Sequence, residues 1–181
     1  MRLSLRTCEV RSWLASDVPS LAAHANSRNI WINLRDRFPH PYTKADGRAF
    51  IRAVRKAQPE TNFAIAVDGA AVGGIGFLLQ FDVDRVSAEI GYWVGEALWG
   101  RGIATDALAA VTRYAIERHG LTRLFALPFT YNTASCRVLE KAGYVREGLL
   151  RRSAIKDGAI VDQFQYAFIA SAPIAADRFS A

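Results

Sequence analysis

The segment Leu98–Thr105, LWGRGIAT, has the residue types and spacing best suited to holding an anion. Gly100 and Gly102 allow a tight turn and a close approach of ligand to backbone. The residues that follow them carry a helical pattern. The first turn of that helix therefore offers N–H groups with no carbonyl one turn earlier to bond. Such groups, at the positive end of a helix dipole, suit a phosphate. The spacing is not the G-x-x-x-x-G-K-[ST] of triphosphatases, and one G-x-G falls short of the dinucleotide fingerprint. A glycine-bearing helix start that serves only as a turn explains the same residues, and on this loop alone the two readings stand level. Metal chemistry is not expected, because Cys8, Cys136 and the three histidines, His24, His40 and His119, fall in no ligand spacing. Two free, reduced thiols fit a cytoplasmic protein.

The elements that must position this loop follow from periodicity. Thr7–Trp13 alternates as a first strand. Ser16 is placed to cap a helix over Asp17–Asn26, with Pro19 in its first turn. Arg35–Tyr42, RDRFPHPY, holds two prolines and reads as an irregular loop. Thr43 caps a second helix to about Ala57, with Ala49, Phe50, Ala53 and Val54 on its apolar face. Asn62–Val67 turns at Asp68-Gly69 into Ala71–Leu79, an antiparallel hairpin pattern. Ala88–Val94 is a third strand in that block, after a polar turn at Asp82–Arg85. Gly100–Arg118 places Ile103, Ala107, Ala110, Val111, Tyr114 and Ala115 at helical spacing. Leu121–Pro128 is a strand, Asn132–Ala142 a helix ending at Gly143, and Tyr144–Leu150 and Val161–Ile169 close the chain as strands. The order β-α-α-β-β-β-α-β-α-β-β predicts an α/β architecture, a mixed sheet with helices on its faces.

Composition narrows the function. The chain has 181 residues, 51% of them hydrophobic and 22% charged, which suits one globular domain over 1–181 rather than a disordered chain. No apolar run reaches the roughly 18 to 20 residues of a membrane span, and Met1–Val10 has no apolar core of a signal peptide. No membrane partner is expected. The net charge of +6 invites an anionic partner. The densest basic groups, Arg35/Arg37, Arg52/Arg55/Lys56 and Arg151/Arg152, are short and interrupted. They read first as solvated surface and next as contacts for an anionic cofactor. Nucleic-acid binding, which would show as steeply salt-dependent affinity, has no recognition motif behind it.

Two further segments join the glycine loop: Ala88-Glu89-Ile90-Gly91-Tyr92-Trp93, and Asn132-Thr133-Ala134-Ser135-Cys136-Arg137-Val138-Leu139-Glu140-Lys141-Ala142-Gly143-Tyr144. In this order and at these separations they resemble the GNAT superfamily of N-acetyltransferases, within it the RimJ/RimL-like, ribosomal-protein branch. The resemblance implies an α+β fold with a central, mostly antiparallel sheet flanked by helices. It implies acetyl-CoA as co-substrate, its pyrophosphate on the main chain of Gly100, Arg101, Gly102, Ile103, Ala104 and Thr105. Its pantetheine arm would pair like an extra strand with Tyr92, Trp93 and Val94, and Asn132 would reach that arm. The superfamily signature begins with Gln or Arg where this chain has Trp99, a change that main-chain phosphate contacts should tolerate. A branched side chain at Gly102 is expected to crowd the phosphate site.

The implied reaction sets the remaining roles. An ammonium of pKa about 8 (α-amine) or about 10.4 (lysine) must lose a proton before attacking a thioester. Glu89 is the expected base, directly or through water. A strand N–H around Val94 is the expected oxyanion donor. Many superfamily members protonate the thiolate with a tyrosine seven residues after the asparagine. Here that position is Leu139, and Ser135 is the candidate instead. Each role has a plainer rival. Glu89 could be a strand residue paired with an arginine, Asn132 a helix cap, Ser135 a self-satisfied helix residue. Tyr92 and Trp93 read as core and pocket wall, and Cys136 as a small buried hydrophobe. His40 is a weak candidate at the acceptor border.

The branch's typical acceptor is a protein N-terminus, here a ribosomal-protein α-amine. Polyamines, amino acids and aminoglycosides are the small-molecule alternatives. Net positive charge disfavours a polycation unless Asp82, Asp84, Glu89 and Glu96 gather at the entrance. A non-catalytic acyl-CoA-binding module would keep the glycine loop and need neither Glu89 nor Ser135. A homodimer is admissible.

Overall fold

The computed structural model describes residues 1–171. Among them eight strands form one sheet: β1 (Arg2–Ser4), β2 (Glu9–Arg11), β3 (Asn62–Val67), β4 (Ala70–Leu79), β5 (Ser87–Val94), β6 (Arg123–Ala126), β7 (Val145–Lys156) and β8 (Ala159–Ile169). The spatial order is β1-β2-β3-β4-β5-β6-β8-β7. β5 and β6 are parallel, and the other neighbours are antiparallel. Helices are α1 (Val18–Ala25), α2 (Arg28–Trp31), α3 (Lys44–Lys56), α4 (Ile103–His119) and α5 (Thr133–Lys141). α4 is the crossover that a parallel β5–β6 pair requires.

Local chemistry accounts for the boundaries. Thr43 Oγ1 accepts from the Asp46 N–H at 3.2 Å, while the Asp46 carboxylate accepts from the Thr43 N–H at 2.8 Å, a reciprocal cap for α3. The β3–β4 turn has Asp68 and Gly69 both at positive φ (49° and 80°), and Asp157 and Gly158 repeat the device between β7 and β8 (51° and 77°). Two such residues give a turn whose twist matches a hairpin.

Two clusters fill the faces of the sheet. Ala88, Ile90 and Val94 of β5 pack with Ile103, Ala107, Leu108 and Val111 of α4 and with Leu139 of α5. On the opposite face Trp13, Leu21, Ala25, Ile51, Ala64 and Ala71 pack together, with Phe38 and Trp93 against them. The even residues of β5 thus face α4 and α5, and the odd ones face α1 and α3, as strand alternation demands.

Several expected boundaries move. The first strand is only Glu9–Arg11, and Arg2–Ser4 pairs with it as an added edge strand. Ser16 does not cap α1. It lies in a short 3₁₀ turn, Ala15–Asp17, where Asp17 accepts from the Leu14 N–H at 2.8 Å and grips buried Arg11 through two 2.8 Å contacts. The buried face of α3 is Gly47 and Ile51, with Phe50 and Val54 half buried; Ala49 and Ala53 are exposed. The short helix α2 precedes the proline loop, its turn capped by Ser27.

Candidate active site

The start of α4 has the geometry expected of the glycine loop. Gly100 and Gly102 lie at φ +77° and +79°. Gly102 is the N-cap, and no side chain caps the helix. The first helical bond runs from the Asp106 N–H to the Gly102 carbonyl at 3.0 Å. The N–H groups of Ile103, Ala104 and Thr105 have no acceptor among the described residues, and Arg101 and Gly102 are exposed. Within the protein a Cβ at Gly102 would meet only Arg6 Nη2, at 3.8 Å, and the positive φ by itself disfavours a side chain there.

Arg6 is a cation that the sequence pattern did not flag. It lies in the β1–β2 turn, beside Gly102, with Nη2 3.4 Å from Asp106 Oδ1. Thr7 Oγ1 donates to the other oxygen of Asp106 at 2.8 Å. No local spacing joins Arg6 to a loop about a hundred residues away; only the edge strand brings them together.

β5 supplies the second half of the site. Its register with β4 runs from Gly73↔Val94 to Leu79↔Ala88, and the bonds Gly95 N–H to Val72 O (2.7 Å) and Gln80 N–H to Ser87 O (3.0 Å) fix its phase. In an antiparallel pair bonded and non-bonded residues alternate. Residues 89, 91 and 93 therefore spend their backbone groups on β4, whereas 90, 92 and 94 turn theirs toward β6. The β6 register ends at Glu89↔Phe125. Beyond it the strands diverge, and the Tyr92 and Val94 N–H groups open into the gap. The Val94 carbonyl is taken by Trp99, whose indole Nε1 donates to it at 2.7 Å. Trp99 thereby staples the glycine loop to the end of β5.

Tyr92 and Ser135 come together across that gap, their hydroxyls 2.9 Å apart, with Tyr92 Oη also 3.2 Å from the Ser135 carbonyl. Burial pushes the Tyr92 phenol well above its ordinary range, which keeps it a neutral hydroxyl. Asn132 caps α5: its Oδ1 accepts from the Ser135 N–H at 3.1 Å, and its Nδ2 has no acceptor among the described residues. Cap and cofactor contact can thus coexist. Cys136 is buried and its thiol is raised by desolvation, in line with the small-hydrophobe reading.

Glu89 projects from the other face of β5 and pairs with Arg35, Nη2 to Oε1 at 2.9 Å, both groups partly exposed. Trp93 shares that face and meets Phe38 edge-on at 5.5 Å between centroids. The proline loop is pinned over this side. Asp36 accepts from Lys156 Nζ at 2.8 Å, and that buried ammonium sits 3.8 Å from the Trp31 ring centroid. Arg28 reaches Asp157 at the tip of the β7–β8 hairpin at 2.5 Å, and Tyr131 donates to the Ile32 carbonyl at 2.7 Å. His40 lies against Trp31, 5.8 Å between centroids. The four acids do not gather. Asp82 and Asp84 precede β5 and Glu96 follows it, roughly 20 Å or more apart along an extended strand. Ser27 and then Asn29 hold the Glu96 carboxylate below its usual range. No group of metal-ligating side chains occurs among the described residues.

A glycine-opened helix beside a splayed parallel strand pair is a distinctive arrangement, and comparison with known proteins defines the family that has it. Residues 8–145 match the model for the acetyltransferase (GNAT) domain, and the chain belongs to that family. It is 36% identical over 98 residues to the uncharacterised N-acetyltransferase YoaA of Bacillus subtilis strain 168, covering 54% of this chain and 55% of the relative. It is 32% identical over 107 residues to the ribosomal-protein-serine acetyltransferase of Escherichia coli K12, covering 59% of each. The chain thus spans little more than half the length of these curated relatives. Among solved structures, Mycobacterium smegmatis RimJ in complex with CoA-disulfide superposes with a TM-score of 0.80 at 27% identity, over 93% of this chain and 87% of that one.

Proposed function

We propose that this chain is a single-domain, acetyl-CoA-dependent N-acetyltransferase whose acceptor is the α-amine of a protein. One observation carries the reading: the partnerless N–H groups that open α4 lie at the end of a strand whose own N–H groups, at Tyr92 and Val94, face an open gap. The first set suits a diphosphate. The second suits an extended amide-bearing arm added as a strand. Gly100, Arg101, Gly102, Ile103, Ala104 and Thr105 would hold the pyrophosphate with Arg6 alongside, and Tyr92, Val94 and Asn132 the pantetheine. The expectation that Trp93 pairs with that arm is corrected, because its backbone is bonded to β4 and its ring packs on the other face against Phe38.

Within that frame side chains and free N–H groups divide the chemistry. Glu89 accepts the proton of the incoming ammonium, through water where the acceptor leaves room, and Arg35 orients its carboxylate. The Tyr92 N–H donates to the thioester oxygen as it becomes anionic; it lies two residues nearer Glu89 than the Val94 N–H does. Ser135 Oγ donates a hydrogen bond to the departing thiolate, which takes up the proton released by the attacking amine, and the neutral Tyr92 hydroxyl holds Ser135 in place. The separation of Asp82 and Asp84 from Glu96 weighs against a polyamine or aminoglycoside, and so favours a protein acceptor. The name of the E. coli ribosomal-protein-serine acetyltransferase supports the same reading. The reduced thiols fit a cytoplasmic setting.

The test is calorimetry with coenzyme A, followed by thiol release from acetyl-CoA across peptides, polyamines and aminoglycosides. Gly102→Val is expected to weaken coenzyme A binding about tenfold, since holding φ near +80° costs a β-branched residue on the order of 1–2 kcal/mol. Unchanged affinity would remove the diphosphate from this loop. The Arg35–Glu89 pair also suits a purely structural Glu89, as in a non-catalytic CoA-binding module; absence of thiol release with every acceptor would favour that reading.

A further inference from the structure

The positive charge of the molecule is concentrated on α3. Its five cations are Lys44, Arg48, Arg52, Arg55 and Lys56. With Asp46, the helix carries a net +4, so two-thirds of the chain's net +6 sits on this one element. At 100° per residue the five fall within about 120° of arc, beside the buried residues Gly47 and Ile51 and away from Asp46, the helix's one acid. All five are exposed, and none has an ion pair or hydrogen bond among the described residues.

Helix stability does not account for the pattern. Lys44, Arg48, Arg52 and Lys56 repeat at four-residue intervals, so each repels the next, and Lys44 stands at the positive end of the helix dipole. Only Arg55 and Lys56, in the last turn, gain from the dipole. A row of like charges that the helix itself does not need is what a contact surface for an oppositely charged partner would carry.

The row borders a groove of about 660 Å³ between α3 and the start of α1. Ala15, Val18, Pro19 and Ile51 contribute apolar surface, and Lys44, Arg48, Arg52, Arg55 and Lys56 line it with charge. Among the described residues no aromatic side chain lines it for stacking bases, as a single-stranded nucleic acid would use. Phe50 and Val54 turn toward the protein, which leaves α3 without the exposed bulky apolar face of a membrane-surface helix. Cations about 6 Å apart along a helix match carboxylates at the same four-residue interval on another helix. We infer that the α1–α3 groove docks an acidic amphipathic helix of a partner protein, carboxylates on the α3 row and small apolar residues on Ala15, Val18 and Pro19. This docking is independent of acetyl transfer and is measured without acetyl-CoA.

Fluorescence anisotropy of a labelled designed helix tests it: about 14 residues, with Glu at four-residue spacing and Ala or Leu alongside. Binding should weaken at least tenfold in Arg48→Glu/Arg52→Glu and in Arg48→Gln/Arg52→Gln. It should weaken similarly in Ala15→Glu, and fall with added salt. Circular dichroism should be unchanged in all three variants. No binding, equal binding by the variants, or tighter binding of oligouridylate or of phosphatidylserine vesicles than of the peptide would overturn the proposal.

Discussion

Arg35 holds one oxygen of Glu89 at 2.9 Å, so any base chemistry at Glu89 has to work beside a guanidinium. The pair is partly exposed, and an incoming ammonium can share the carboxylate or displace the arginine. Glu89→Gln keeps the shape and one hydrogen-bond acceptor but cannot take a proton. It is expected to lower kcat/KM on the order of 10²–10³-fold while leaving coenzyme A affinity unchanged. Stopped-flow thiol release together with calorimetry separates the two quantities, and a wild-type rate would leave Glu89 only its structural role. Ser135→Ala tests the hydroxyl pair. A loss of about tenfold or more in kcat, with KM for acetyl-CoA little changed, is the expected split. Equal loss from Tyr92→Phe would locate the function in the pair, not in Ser135 alone.

At the scale of elements, the N-terminal turn hangs on one buried contact. Arg11 and Asp17 expose 6% and 5% of their side chains, and Asp17 also ties down the Leu14 N–H. Asp17→Asn leaves a buried guanidinium without its counter-charge, a change that costs about 3–5 kcal/mol. Urea denaturation is expected to show that loss, and a shift under about 1 kcal/mol would mean that water reaches Arg11. Nothing in the sequence marks this pair, because an Arg in a strand and an Asp six residues later read as ordinary surface. The helix α3, by contrast, was legible from Thr43 onward, since a capping side chain acts locally. Its buried face was not: Gly47 and Ile51 are chosen by where α1 lies, and alanine counts alone favoured Ala49 and Ala53. The Asp-Gly signal that marked the β3–β4 turn recurs at Asp157-Gly158, which accounts for strands running longer than the apolar runs within them. The glycine loop was readable as a helix start. Its neighbours Arg6 and Trp99 were not, because strand pairing and a side-chain staple decide their positions.

Across the whole molecule, titration should appear in two steps. His119, at the end of α4, packs against Phe77 and Tyr114, and its buried Nε2 has no hydrogen-bond partner. Burial first, and Arg118 second, lower its pKa below the ordinary 6.5, outweighing the helix end that would favour its charge. The unfolded chain then takes up this proton more readily than the folded one. Stability is therefore full above about pH 6.5 and declines as pH falls toward the folded value. The carboxylates of Asp46, Glu96 and Glu147 are held low by Thr43, by Ser27, and by Arg123. What they contribute is present above their ordinary 3.8 and 4.5 and disappears as pH falls through the folded values. Tm is thus expected to fall gently between about pH 7 and 5 and steeply below about 4. His119→Phe should erase the upper slope alone. A mutant that retains it would assign that slope to another group.

The phase of β5 also restricts how this chain can be altered. Because Tyr92 and Val94 address one side and Glu89 and Trp93 the other, inserting or deleting a single residue within Ser87–Val94 would swap inward and outward groups for everything downstream. Substitutions there are graded, whereas a length change is all or nothing. A change of length is expected to be tolerated only outside the strand, as at the bends 80–86 and 157–158. Loop grafting to alter acceptor choice belongs at those ends, with the strand's reading frame left intact.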